Sequence, residues 1–501
     1  MELTLLLAPA DAVRLQRSPT IKAARSGRAR SQAVQIVWHD SLDRGLASQG
    51  LALTAQRGIW RLEQHRPGAA EPWPPATDHR LIVEANGLEP LRHALAEADA
   101  ETAGRDLPDA ITPVAAFAGR RTVFPLVIDG ETVSMTLLDG VLRAVAAEQP
   151  ATRLILEGPG PQVRTLVLAL AETLAITVPQ HCLWAEALKL ADGIAQEPRR
   201  RGAPDLPAEG MSIQDAFAHI VGHLTDVTLD LAPMVADIEH GTEPVHQMRV
   251  AVRRARSAFA LFPALPDNPA HASAAEGLKR LGRMLGPARD WDVFMTETAP
   301  PVEAALPEQP ALHSLLRAGA RRRNAARASL VAYLHSPEFH KLCLELACLA
   351  AADPPVDQAP ADQEAADPEN VPPLSEFAAA VLRRRWKKLL NAGRALDDLD
   401  IEALHDLRLK AKRLRYAAEF FAPLFPEKPT SRFIRRLAVL QDRLGLFNDT
   451  TVAEGLLRDL NSNPGYAAGL VLGFTASRGA HSRRQISAAW ARFRRRDPFW
   501  D

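Results

Sequence analysis

Two stretches of this chain place a histidine ahead of a row of cations at one shared spacing. In residues 245–262, VHQMRVAVRRARSAFALF, His246 is followed by Arg249, Arg253, Arg254 and Arg256. In residues 404–421, LHDLRLKAKRLRYAAEFF, His405 is followed by Arg408, Lys412, Arg413 and Arg415. The chemistry open to such a set is anion binding. A guanidinium presents a planar fork of donors that matches phosphate, and a histidine can add a further donor. G-x-S-x-G, P-loop, dinucleotide-fingerprint and C-x-x-C patterns are all absent, so no catalytic residue and no cofactor is assigned.

Both stretches must be helices for these residues to act together. At about 100° per residue, the histidine and the cations at +3, +7 and +10 fall within an arc of about 80°. Met248, Val252, Ala255 and Phe259 take the opposite side, as do Leu407, Ala411, Leu414 and Ala418. A helix with one charged face is often only a solvated surface. Here neither motif interleaves an acidic residue between its first and last cation, although a Glu at i,i+4 would relieve the repulsion. That suits a face reserved for a polyanion.

The two copies lie 159 residues apart, and Leu285, Gly286 and Asp290 map onto Leu444, Gly445 and Asp449 at the same offset. The chain therefore contains a tandem duplication. Further cations follow each motif: Lys279, Arg280 and Arg283 in the first half, Arg432, Arg435 and Arg436 in the second. The runs 321–323 and 383–388 wind around their helices and carry less weight. Asp290 and Asp449 read either as helix-start caps or as carboxylates that orient an arginine. His219 and His223 are spaced i,i+4 but lack the intervening Glu of a zinc hydrolase, and no metal site is expected.

On VHQMRVAVRRARSAF, LGPARDWDVF, LHDLRLKAKRLRYAAEFF, LQDRLGLFND and the terminal DPFW, residues 211–501 resemble the CHAD family, the conserved-histidine α-helical domain. The resemblance implies an all-α domain of two helical repeats, residues 211–350 and 374–501, that binds inorganic polyphosphate and in some members targets polyphosphate granules. Helices are expected near 212–238, 243–262, 271–285, 288–298, 310–350, 374–394, 402–422, 429–445, 447–461 and 466–496. The acidic, proline-rich stretch 351–373 is expected to be a flexible connector.

Residues 1–196 read differently. Short β-like runs are separated by Gly, Pro or Asp, with helices near 88–100 and 162–174 and a tight hairpin turn at IDGE, residues 128–131. A linker is expected at 197–210. The order of these runs resembles a degenerate CYTH domain, which implies an antiparallel β-barrel with flanking helices. That family opens on a strand with Glu-x-Glu-x-Lys, whose carboxylates hold a divalent metal against a triphosphate. Glu2, Thr4 and Leu6 stand at those positions, and Thr54 stands where an arginine is usual. The expectation is a retained β scaffold without triphosphatase chemistry.

The fold class is thus α+β in two domains. Lys plus Arg equals Asp plus Glu at 60 each, so net charge points to no partner and only local faces inform. Cys182, Cys343 and Cys348 make no disulfide framework and fit a reducing cytoplasm. The start MELTLLLAPA has no basic n-region, and no run approaches a membrane helix. Two alternatives accompany polyphosphate binding: a metal-dependent triphosphatase in the N-terminal domain, and nucleic-acid binding by the same cations. The motif faces offer almost no aromatic stacking platform, with Tyr416 alone nearby, which disfavours a specific nucleic-acid partner.

Overall fold

The computed structural model describes residues 1–64, 74, 80–97, 107–193, 202–204, 206, 211–237, 240–262, 269–351, 372–460, 465–495 and 498–500. Side chains at 80, 446–451 and 478–482 are outside that description. So are most of the expected linker and residues 352–371 of the expected connector. The chain divides into two compact units, residues 1–199 with 340–354 and residues 200–339 with 355–501.

The first unit is built on nine antiparallel strands among the described residues: β1 (Glu2–Leu7), β2 (Arg30–Asp40), β3 (Leu51–Gln56), β4 (Ile59–Gln64), β5 (Arg80–Asn86), β6 (Thr112–Ile128), β7 (Glu131–Ala144), β8 (Glu148–Glu157) and β9 (Ile176–Thr177). Their order is β5-β4-β3-β2-β6-β7-β8-β1-β9. Among the described residues no ladder joins β5 to β9, so pairing does not close the sheet into the expected barrel. The IDGE turn joins β6 to β7 with Asp129 at φ 49° and Gly130 at φ 85°, the left-handed pair that a two-residue hairpin needs. Arg57 and Gly58, at φ 52° and 83°, make a second such turn between β3 and β4.

Among the described residues up to 193, six α-helices accompany the sheet: α1 (Ala12–Arg17), α2 (Pro19–Ala24), α3 (Gly45–Ser48), α4 (Leu88–Ala96), α5 (Gly160–Ala171) and α6 (Leu183–Asp192). On β1, Leu3, Leu5 and Leu7 alternate into the core, as period-two patterning requires. The other parity, Glu2, Thr4 and Leu6, lies in register with Glu157, Ile155 and Arg153 of β8, and these with Ser134, Thr136 and Leu138 of β7.

The second unit is helical. It comprises α7 (Ile213–Ala236), α8 (Glu243–Leu261), α9 (Pro269–Val293), α10 (Ala299–Ala305), α11 (Pro310–Leu334), the start of α12 (Pro337–Ala350), α13 (Leu374–Ala392), α14 (Ile401–Phe421), α15 (Glu427–Leu460) and α16 (Tyr466–Arg494). Ser212 opens α7 through a capping box with Asp215. Two expected breaks are absent, near 286 and near 446. In α9 the buried stripe Leu278, Leu281, Leu285, Ala288 and Trp291 continues in phase across Pro287, so packing carries the helix past one missing N–H. An unexpected break falls at His335–Ser336, between α11 and α12.

From His340 onward α12 counts with the first unit. Glu345, 1% exposed, is held there by Arg164 of α5 through two hydrogen bonds of 2.6 and 2.7 Å. Burial pushes the thiols of Cys343 and Cys348 up to about 12. Among the described residues no helix is long and apolar enough to cross a membrane.

Candidate anion-binding groove

The apolar faces of the motif helices are buried as the periodicity requires. Met248, Val252 and Ala255 of α8 and Leu407, Ala411 and Leu414 of α14 are all 3% exposed or less. Their burial leaves the cations on the outer side, where α8, α13 and α14 enclose a groove of about 750 Å³. Arg253 and Arg256 reach it from the first copy, Lys412 and Arg413 from the second. Arg384, Arg385 and Lys388 of α13 and Lys410 of α14 complete the set, with Ser257, Ala260, Leu409 and Tyr416 between them. Among the described residues the lining holds eight cations and no carboxylate, though Lys410 is paired with Asp406.

Tyr416 is only 9% exposed. The guanidinium carbons of Arg253 and Arg254 lie 6.0 and 5.9 Å from its ring centroid, at the range of a cation–π contact. The ring is therefore committed to arginines instead of standing open for a base. Arg385 donates to the Ala260 carbonyl at 3.3 Å, and its pKa is pushed down to about 10 by burial and then by Arg413 and Arg384. Arg253 Nε and Arg385 Nε are buried without a hydrogen-bond partner among the described residues. Such unmet donors in a field of like charge favour an incoming anion.

The other residues singled out in the sequence take different places. Arg249 pairs with Asp290 at 3.6 Å, its guanidinium passing over Gly286, where a Cβ would come within 3.3 Å of it. Asp290 thus orients an arginine inside α9 and is not a helix-start cap; the Asp449 side chain lies outside the described ones. His246 is half-buried, and its pKa is lowered by desolvation and next by Arg289. His405 is exposed. Arg254 donates to Glu419 at 2.8 Å, and Arg415 donates to Glu419 at 2.6 Å and to Gln441 at 3.2 Å.

Arg408 is half-buried and outside the lining. Lys279 and Arg283 both pair with Glu276, at 3.2 and 2.8 Å, on the exposed side of α9. Arg280, Arg432, Arg435 and Arg436 also lie outside the lining. These downstream cations do not join the groove, because the apolar stripes of α9 and α15 turn them elsewhere.

The α13 cations are what sequence reasoning discounted. The signal was present: Leu374, Ala378, Val381 and Leu382 lead in phase to Leu389, and Arg385 interrupts that apolar stripe. A cation at a core position of a helix must be paired or must line a cavity.

In the first unit, α6 packs over β6 and β7 on the sheet face that also carries Glu2, Thr4 and Leu6. Leu183, Trp184, Ala187 and Leu190 pack there with Val34, Trp38, Phe117, Leu138 and Leu142. Arg153, 3% exposed on that face, is ion-paired with Glu186 of α6. Thr54 pairs in register with Trp38 and is buried beside it. Among the described residues no group of three or more His, Cys, Asp and Glu side chains is placed to hold a metal ion.

Residues 212–458 match the family described as the CHAD domain. Among solved structures, the crystal structure of the CHAD domain from the plant Ricinus communis is 29% identical, with 60% of this chain and 98% of that one covered at a TM-score of 0.49. PptA from Streptomyces chartreusis is 16% identical over 56% of this chain and 99% of its own, at 0.42. A putative adenylyl cyclase from Hippeastrum, described as having a dominant triphosphatase activity, is 14% identical over 39% and 96%, at 0.27. None of the curated proteins matches the sequence. Through residues 212–458 this chain carries a CHAD domain.

Proposed function

We propose that the helical unit binds inorganic polyphosphate in the groove between α8, α13 and α14. The observation that carries this reading is the lining itself, eight cations contributed by both repeats with no carboxylate among the described residues. A linear chain of phosphates presents repeated charge without bases, and the groove offers donors without an open aromatic platform. The family match supports the same ligand, since CHAD domains are linked to polyphosphate. Recruitment to polyphosphate granules would follow from binding alone and needs no second site.

The test is direct titration of the purified full chain with long-chain polyphosphate, with and without duplex DNA. Polyphosphate should bind and should displace DNA, while DNA should not displace polyphosphate. Equal or reversed competition would assign the groove to nucleic acid instead.

A further inference from the structure

The repeats are equivalent in sequence spacing but not in charge balance. Position 419 is glutamate, and its counterpart 159 residues earlier is Ala260. Glu419, with an 11% exposed side chain, accepts from Arg254 of α8 and from Arg415 of α14, so one carboxylate neutralises an arginine of each motif. Arg256, the counterpart of Arg415, has no acid four residues on; it is exposed and lines the groove. A phosphate that followed α14 toward Arg415 would meet a carboxylate. Beyond Lys412 and Arg413, the cations that continue the lining belong to α13, whose Arg384, Arg385 and Lys388 correspond to Thr225, Asp226 and Leu229 in α7.

We propose that Glu419 is a specificity-determining residue of the groove: it withholds Arg254 and Arg415 and turns a bound phosphate chain from α8 across α14 onto α13. The track is therefore one-sided, not two equal tracks along the motif helices. This inference rests on the anion-binding reading of the groove.

The experiment measures long-chain polyphosphate affinity of the full chain across a salt series for wild type, Glu419→Gln and Ala260→Glu. Releasing two guanidinium groups should make Glu419→Gln bind several-fold more tightly at low salt, and should steepen the log–log salt slope by about 1 for each arginine that then meets a phosphate. Ala260→Glu copies the device into the first repeat, where it can capture Arg256 at i,i+4. It should weaken binding at least ~10-fold, the equivalent of one lost charge-assisted contact. Position 260 is exposed, so this variant tests the idea even where Glu419→Gln lowers the circular-dichroism midpoint. Wild-type affinity and slope in either variant, or weaker binding by a folded Glu419→Gln, overturns the proposal. A wild-type chain that binds no polyphosphate overturns the functional reading first and this one with it.

Discussion

Phe262 and Phe421, equivalent residues of the two repeats, face each other with ring centroids 5.8 Å apart. Contact between counterparts is what a two-fold relation between halves produces. Phe377 packs on both rings, at 5.5 and 6.1 Å. Phe421 is fully buried, so Phe421→Ala should destabilise the helical unit by about 3–5 kcal/mol in urea unfolding. A loss under 1 kcal/mol would show that this junction does not hold the repeats together.

Charge reversal tests the groove. Arg253→Glu, Lys412→Glu and Arg385→Glu should each weaken polyphosphate binding at least ~10-fold and flatten its salt dependence. Arg321→Glu is the control. Its neighbours are unsuitable, because Arg322 donates to the Asp459 carbonyl and Arg323 pairs with buried Asp292. Folded groove variants with wild-type affinity would refute the site.

The first unit should not hydrolyse triphosphate. The face that would hold metal and substrate carries α6 and the Arg153–Glu186 pair, and Thr4 and Leu6 replace the acid and the lysine. Tripolyphosphate and ATP with magnesium or manganese should give no turnover above background. Metal-dependent turnover abolished by Glu2→Ala would show that the site survives.

His246 should act as a neutral donor or acceptor near pH 7. Burial, reinforced by Arg289, holds its pKa below 6.5 in the folded chain. Between that lowered value and 6.5 the unfolded chain takes up the proton and the folded chain does not. Stability from this group is therefore present above 6.5 and is lost as pH falls through the window. His246→Gln should flatten the fall in stability below pH 6.5 and leave stability above pH 7.5 nearly unchanged. An NMR titration midpoint for His246 above 6.5 would contradict the argument.

Arg164→Ala should strand the buried Glu345 carboxylate and cost about 3 kcal/mol. Cys343 and Cys348 report on it, since both are buried with thiols pushed up to about 12. At pH 8 they should resist a thiol reagent in the native wild type and react faster in Arg164→Ala. Arg164→Lys should restore only part of the protection, because an ammonium cannot supply both hydrogen bonds.

How much of this was legible beforehand differs from residue to residue. The 3.6-residue periodicity of Met248, Val252 and Ala255, and of Leu407, Ala411 and Leu414, determined two amphipathic helices and which of their faces would be charged. The 159-residue offset determined that they are equivalent, and period-two runs with the Asp129–Gly130 turn determined an antiparallel sheet. These are local properties, fixed by backbone geometry and by the need to bury one face. The tertiary structure alone decided which cations meet. It brought Arg384, Arg385 and Lys388 to Arg253 and Lys412, and carried Arg254 to the carboxylate that Arg415 already reaches at i,i+4. It also laid α6 over the sheet face that carries Thr4. A helix face shows in sequence because its residues are neighbours along the chain. The charge balance between the repeats depends on pairs such as Arg254 and Glu419, 165 positions apart, whose distance packing alone sets.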